Sequence, residues 1–125
     1  IQKMITGHEL FCGAKREGRF GHLVMAGMGG IFIEVFRDVA TALVPVSAPE
    51  ARSMIRSLKS YRIIKGIRGS AGVSEEAFAS VITSLSDLLV TAPEIEEMDI
   101  NPLLGTSERI VAVDARIRVG SQIRQ

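Results

Sequence analysis

Tryptophan is missing from this sequence, tyrosine and cysteine occur once each, and there are only five phenylalanines. So few rings leave no stacking platform for single-stranded nucleic acid. Charge is nearly balanced, with 15 Lys and Arg against 14 Asp and Glu, and the basic residues form no block. The electrostatic footprint of a nucleic-acid binder is therefore lacking as well. No apolar run approaches the ~20 residues that span a bilayer, and the signal-peptide pattern is absent. These absences exclude nucleic acid and membrane as expected partners. The lone Cys12 cannot close an internal disulfide and reads as a small buried hydrophobe, in keeping with a reducing compartment. His8 and His22 lack partners at zinc spacing and read as structural. What is present is ordinary for a globular core, 46% hydrophobic and 23% charged over 125 residues, enough for one domain or part of one. The chain starts at Ile1 and not at Met, which predicts a piece of a longer chain.

The first 45 residues read as strand-rich. His22 to Gly27 is a short apolar run, and Ile31 to Phe36 alternates, with Ile31, Ile33 and Val35 on one face. Arg37-Asp38 turns the chain into a strand over Val39 to Val44. Then the period changes. Ser47-Ala48-Pro49-Glu50 has the capping-box pattern, and Ala51, Met54, Ile55 and Leu58 follow at helical spacing. Residues 60–73, rich in Gly and basic side chains, read as a loop. A second helix starts after Ser74, carries an apolar stripe from Phe78 to Ala92, and stops at Pro93. The tail from Glu96 to Arg118 returns to period two. The order predicts an α+β fold, an antiparallel sheet with two helices packed on one face.

The C-terminal segment reads as a hairpin turning at Gly105 to Glu108. The register that keeps one face apolar opposes Met98 to Ile117, Ile100 to Ala115 and Leu104 to Val111. The polar face then pairs Asp99 with Arg116 and Asn101 with Asp114. Opposed residues have Cβ atoms about 5 Å apart. Asn101 and Asp114 thus present two hard oxygens, which suits magnesium, an ion held at ~2.0–2.1 Å by one or two protein oxygens, waters and phosphates. Pro102 cannot donate to the ladder, so the pairing is expected to open beside Asn101. Taken by itself, this spacing is equally that of a solvated hairpin face.

Met98-Asp99-Ile100-Asn101-Pro102-Leu103, followed by Val111-Ala112-Val113-Asp114-Ala115-Arg116-Ile117, resembles the metal-binding end of the ATP-grasp domain in NDP-forming acyl-CoA synthetases, relatives of succinyl-CoA synthetase. Upstream, residues 20–35 resemble that family's glycine segment and the strand after it. Lys65-Gly66-Ile67-Arg68-Gly69 is similar to its mid-domain loop, and Ile1-Gln2-Lys3-Met4 to the adenine-facing hinge strand. The resemblance implies that this is the C-terminal subdomain of an ATP-grasp fold. It implies Asn101 and Asp114 as Mg2+ ligands, with Asp99 near the transferred phosphate; Arg116, its partner in the register above, is the second catalytic candidate. Gln2, Lys3 and Met4 would meet adenine, and Glu9 the ribose, of ATP or ADP. The implied reaction is acyl-CoA + ADP + phosphate ⇌ acid + ATP + CoA, through an acyl phosphate and a phosphorylated histidine, in a cytoplasmic ligase. CoA-binding and phosphohistidine domains, or a subunit carrying them, are the implied partners. The sequence departs from the family at His22, where proline is expected, and at Ala26, where an aromatic is usual.

Gly27-Met28-Gly29-Gly30 is not a dinucleotide fingerprint, since Phe32 stands at the third glycine place and a strand is expected next. It reads as a tight connection, with Gly29, Gly30 and Arg68 as candidate phosphate contacts. Two rival functions are a non-catalytic nucleotide- or acyl-CoA-sensing domain of an acetyltransferase fusion, and a pure interaction module.

Overall fold

A computed structural model describes residues 7–18, 21–69 and 71–120. Strands β1 (His8–Arg16), β2 (His22–Met28) and β3 (Val39–Leu43) come first, with a short helix α1 (Ile31–Glu34) between the last two. Helices α2 (Ala48–Ser57), α3 (Tyr61–Lys65) and α4 (Glu75–Thr91) follow, then strands β4 (Ile95–Gly105), β5 (Ile110–Ala112) and β6 (Ala115–Val119). The antiparallel sheet runs in the order β3-β2-β1-β4-β5, and β6 also pairs with β4, end to end with β5.

Alternation decides which side is covered. Leu10, Cys12 and Ala14 of β1 and Val24, Ala26 and Met28 of β2 are buried, and they meet Ala51, Met54 and Ile55 of α2 and Phe78, Ile82, Leu85 and Leu89 of α4. The intervening residues Phe11, Leu23 and Met25 point to the opposite face of the sheet. The expected α+β layering is therefore the observed one. Helix α2 begins where the capping box places it: Ser47 Oγ accepts from the Glu50 amide and Glu50 Oε1 from the Ser47 amide. Ser74 caps α4 through the Ala77 amide, and Cys12 is buried, which pushes its thiol up to about 12.

Three expectations are corrected. Residues 31–34 form a helical turn and not a strand. Gly30 at φ 64° turns the chain, and its carbonyl then accepts from the Ile33 and Glu34 amides, which local bonding withholds from any ladder. Phe32 packs on the core while Ile31 and Val35 are exposed, so the period-two pattern did not report a buried face. Consequently a short helix, and not a strand, follows the glycines. The basic loop after Ser60 contains α3, because Ile64 is buried in the core. Finally, one hairpin face is not apolar throughout. Met98, Ile100 and Leu103 lie together under α4, whereas Leu104 falls on the other side, because β4 changes face across Asn101-Pro102.

Candidate nucleotide site

The register expected for the hairpin is the one found: Met98 opposes Ile117, Asp99 opposes Arg116, Ile100 opposes Ala115 and Leu104 opposes Val111. Between the two ladders, at the point where Pro102 has no amide to give, the pairing opens. There the Asn101 amide donates to the Asp114 carbonyl at 3.1 Å and the Val113 amide to the Pro102 carbonyl at 3.0 Å. Asn101 and Asp114 thus stand opposite each other, both exposed. Asp114 Oδ1 accepts from the Ala115 amide at 2.9 Å, which fixes the carboxylate direction, and Oδ2 lies 4.0 Å from Arg116 Nε.

Asp99 sits between Gly13 on β1 and Arg116 on β6. Together with Phe11, Met25 and Arg116 it lines a cavity of about 450 Å3. The floor depends on Gly13: a Cβ there would lie 2.9 Å from the tip of the Phe11 ring, so the missing side chain leaves the ring its place beside the strand. The ion pair formed by Arg116 is with Asp114 and not with Asp99, although Asp99 is its register partner. Arg118, one pleat further, pairs with Glu96 and Glu97, which hold its guanidinium above the usual arginine range.

Glu9 lies on the same face, opposite Leu104 and so three residues along β4 from Asn101. Its backbone carbonyl accepts from the Gly29 amide at 2.8 Å, and its carboxylate lies against Gly29 and Gly30. The structure therefore brings together Asn101, Asp114, Asp99 and Arg116, and separately Glu9, Gly29 and Gly30. Arg68 occupies an exposed turn and joins neither group. Gln2, Lys3 and Met4 lie outside the described residues. Both histidines are structural, as expected: His22 Nε2 pairs with the Ile95 carbonyl at 2.7 Å and His8 Nε2 with the Ala71 carbonyl at 3.1 Å. The Glu9–glycine contact joins strands whose pairing no short motif announces. The only sequence signal for the Phe11 floor was a glycine inside a strand.

Among the described residues, no three His, Cys, Asp or Glu side chains cluster as a cation cage. One carboxylate and one amide oxygen fit an ion that takes its remaining ligands from water and phosphate, and they do not fit a closed protein site. No described helix is long and apolar enough to cross a membrane.

The ATP-grasp domain family matches residues 1–119. The chain is 41% identical over 118 residues to the acetate–CoA ligase (ADP-forming) I subunit beta of Pyrococcus furiosus, covering 94% of this chain and 51% of that one. It is 38% identical over 124 residues to acetate–CoA ligase (ADP-forming) I of Archaeoglobus fulgidus, covering 98% of this chain and 18% of that one. Its fold matches the dinucleotide-forming acetyl-coenzyme A synthetase 1 of Ca. Korarchaeum cryptofilum, solved with coenzyme A and Mg-AMPPCP, with a TM-score of 0.87 at 40% identity. That match covers 91% of this chain and 54% of the other. The chain thus spans about half the length of one curated relative and under a fifth of the other.

Proposed function

The chain belongs to the ATP-grasp family, and from that premise we propose that it is the Mg–nucleotide-binding C-terminal subdomain of an ADP-forming acyl-CoA synthetase acting on acetate or a similar acid. The observation that carries this reading is the opposition of Asn101 and Asp114 on an opened stretch of hairpin, on the sheet face that the helices leave uncovered. Asn101 Oδ1 and Asp114 Oδ2 would hold Mg2+. When bound, the ion would supply charge neutralisation at the nucleotide's phosphates. The residues themselves bind and orient. Phosphoryl transfer rests on positioning and electrostatic stabilisation, which a rigid hairpin provides with little reorganisation. The Ala115 amide aims the Asp114 carboxylate. Arg116, mostly exposed, has room to turn from Asp114 toward a phosphate. Asp99, one pleat away, faces the place where a transferred group would arrive. Phe11 and Met25 keep that side dry.

Gln2, Lys3 and Met4 would meet adenine, and Glu9 the ribose. The relatives are longer than this chain, which leaves room for the expected partners in the same synthetase, domains or a subunit that bind CoA and carry a phosphohistidine; the whole assembly is expected in the cytoplasm. In the matched Korarchaeum structure a phosphohistidine segment points towards the nucleotide binding site, which supports the same partner class. The test is Asp114→Ala in the full-length protein. Acyl-CoA-dependent ATP formation should fall by about two orders of magnitude or more, with an unchanged circular-dichroism spectrum. Retention of most of the turnover would remove the proposed role of Asp114.

A further inference from the structure

Gly29 is buried, and its backbone lies outside the left-handed region that demands glycine. Its lack of a side chain has another cause. A Cβ built there would stand 3.0 Å from Glu9 Cγ, 3.3 Å from Cδ and 3.2 Å from Oε2, and one on Gly30 would stand 3.9 Å from Glu9 Oε1. A methyl at residue 29 would thus press on the glutamate side chain and push it aside by a few tenths of an ångström, while Glu9 itself remains exposed on the helix-free face. We propose that Gly29 is a positioning residue for Glu9, leaving the room in which its carboxylate lies and fixing that carboxylate as an acceptor for the ribose hydroxyls of the nucleotide. This rests on the function proposed above and deepens it.

The chemistry of the turn favours a hydroxyl over a phosphate. Two adjacent glycines resemble an anion cradle, yet the Gly29 amide is already given to the Glu9 carbonyl, and a carboxylate lies over the pair and would repel a second anion. Hydroxyl groups donate to a carboxylate, and such charge-assisted bonds are the stronger kind. Position along the sheet agrees. Glu9 pairs with Leu104, three residues from Asn101, or about 10 Å at the ~3.3–3.4 Å rise of a strand. A nucleoside polyphosphate bridges such a span, with its metal-bound phosphates at Asn101 and its sugar at Glu9. Replacing Gly29 by alanine is also mild for the fold, because the atoms met are the flexible part of an exposed side chain.

The experiment measures calorimetric dissociation constants of Mg–ADP and Mg–2′,3′-dideoxy-ADP with the full-length protein. The unchanged protein should prefer ADP by about tenfold, the scale of a lost hydrogen bond to a charged group. Gly29→Ala should collapse that preference to less than about twofold, leaving the dideoxy constant within about twofold of its original value. Glu9→Ala should lose the same preference, and adding Gly29→Ala to it should change nothing further. If Gly29→Ala keeps the full preference, or weakens ADP binding further in the Glu9→Ala background, the inference is overturned. Equal binding of both nucleotides by the unchanged protein overturns it while the nucleotide site stands. No binding of either overturns both.

Discussion

Asp38 is buried between the end of α1 and the start of α3, and its two carboxylate oxygens accept from the Lys59 and Ser60 amides at 2.7 Å each. Burial by itself raises its pKa, and the hydrogen bonds from Ser60 and Lys59, with the Lys59 charge, more than offset that, so the carboxyl sits below its ordinary value of 3.8. A depressed folded-state pKa means that the stabilisation is present above the unfolded value and is lost as pH falls through the folded one. Urea unfolding across pH should therefore show Asp38→Asn less stable than the unchanged protein near neutrality, with the gap closing as pH drops below about 4. A gap that widens in acid would contradict the geometry. The sequence marked Asp38 only as a turn residue and not as a buried acceptor, because its partners lie 21 and 22 residues away. Asn101 and Asp114 were legible because a turn of known length brings them together. Glu9 and Gly29 come together only through the pairing of β1 with β2, which no local pattern declares.

Elements whose signals were local chemistry were readable. The Ser47–Glu50 box sets the start of α2 because both of its bonds lie within one turn. Ser47→Ala removes one of them and should lower the unfolding free energy by about 1 kcal/mol, whereas Ser47→Asp should be nearly neutral. Equal losses in chemical denaturation for the two variants would show that the cap is not what stabilises this helix start. Hairpin register was readable because a slip by one would expose an apolar row. The step at Asn101-Pro102 was readable as an opening and not as a change of face, so Leu103 rather than Leu104 reaches α4. In α1, apolar alternation misled because Ile31 and Val35 are exposed and backbone hydrogen bonding was decided by Gly30.

At the scale of the whole molecule, α2 and α4 cover one face of the sheet, and the site residues gather on the other. Layering could be inferred from element order, but the strand order β3-β2-β1-β4-β5 depends on long-range pairing and could not. A face of this kind is one wall of a nucleotide site. The 125-residue chain alone should bind Mg–ATP with a dissociation constant of about a millimolar or weaker, equivalent to about −4 kcal/mol or less, since two oxygens and one wall give little preorganisation. Micromolar affinity in a calorimetric titration would mean that the chain is self-sufficient. The most direct test of the central claim is the Mg2+ dependence of ADP binding by the full-length protein and its Asn101→Ala variant, measured by calorimetry with the metal present and chelated. The unchanged protein should bind ADP at least about tenfold more tightly with Mg2+, about 1.4 kcal/mol, and the variant should lose that gain while keeping its metal-free affinity. A variant that retains the full Mg2+-dependent gain would contradict the assignment of the hairpin as the metal–nucleotide site.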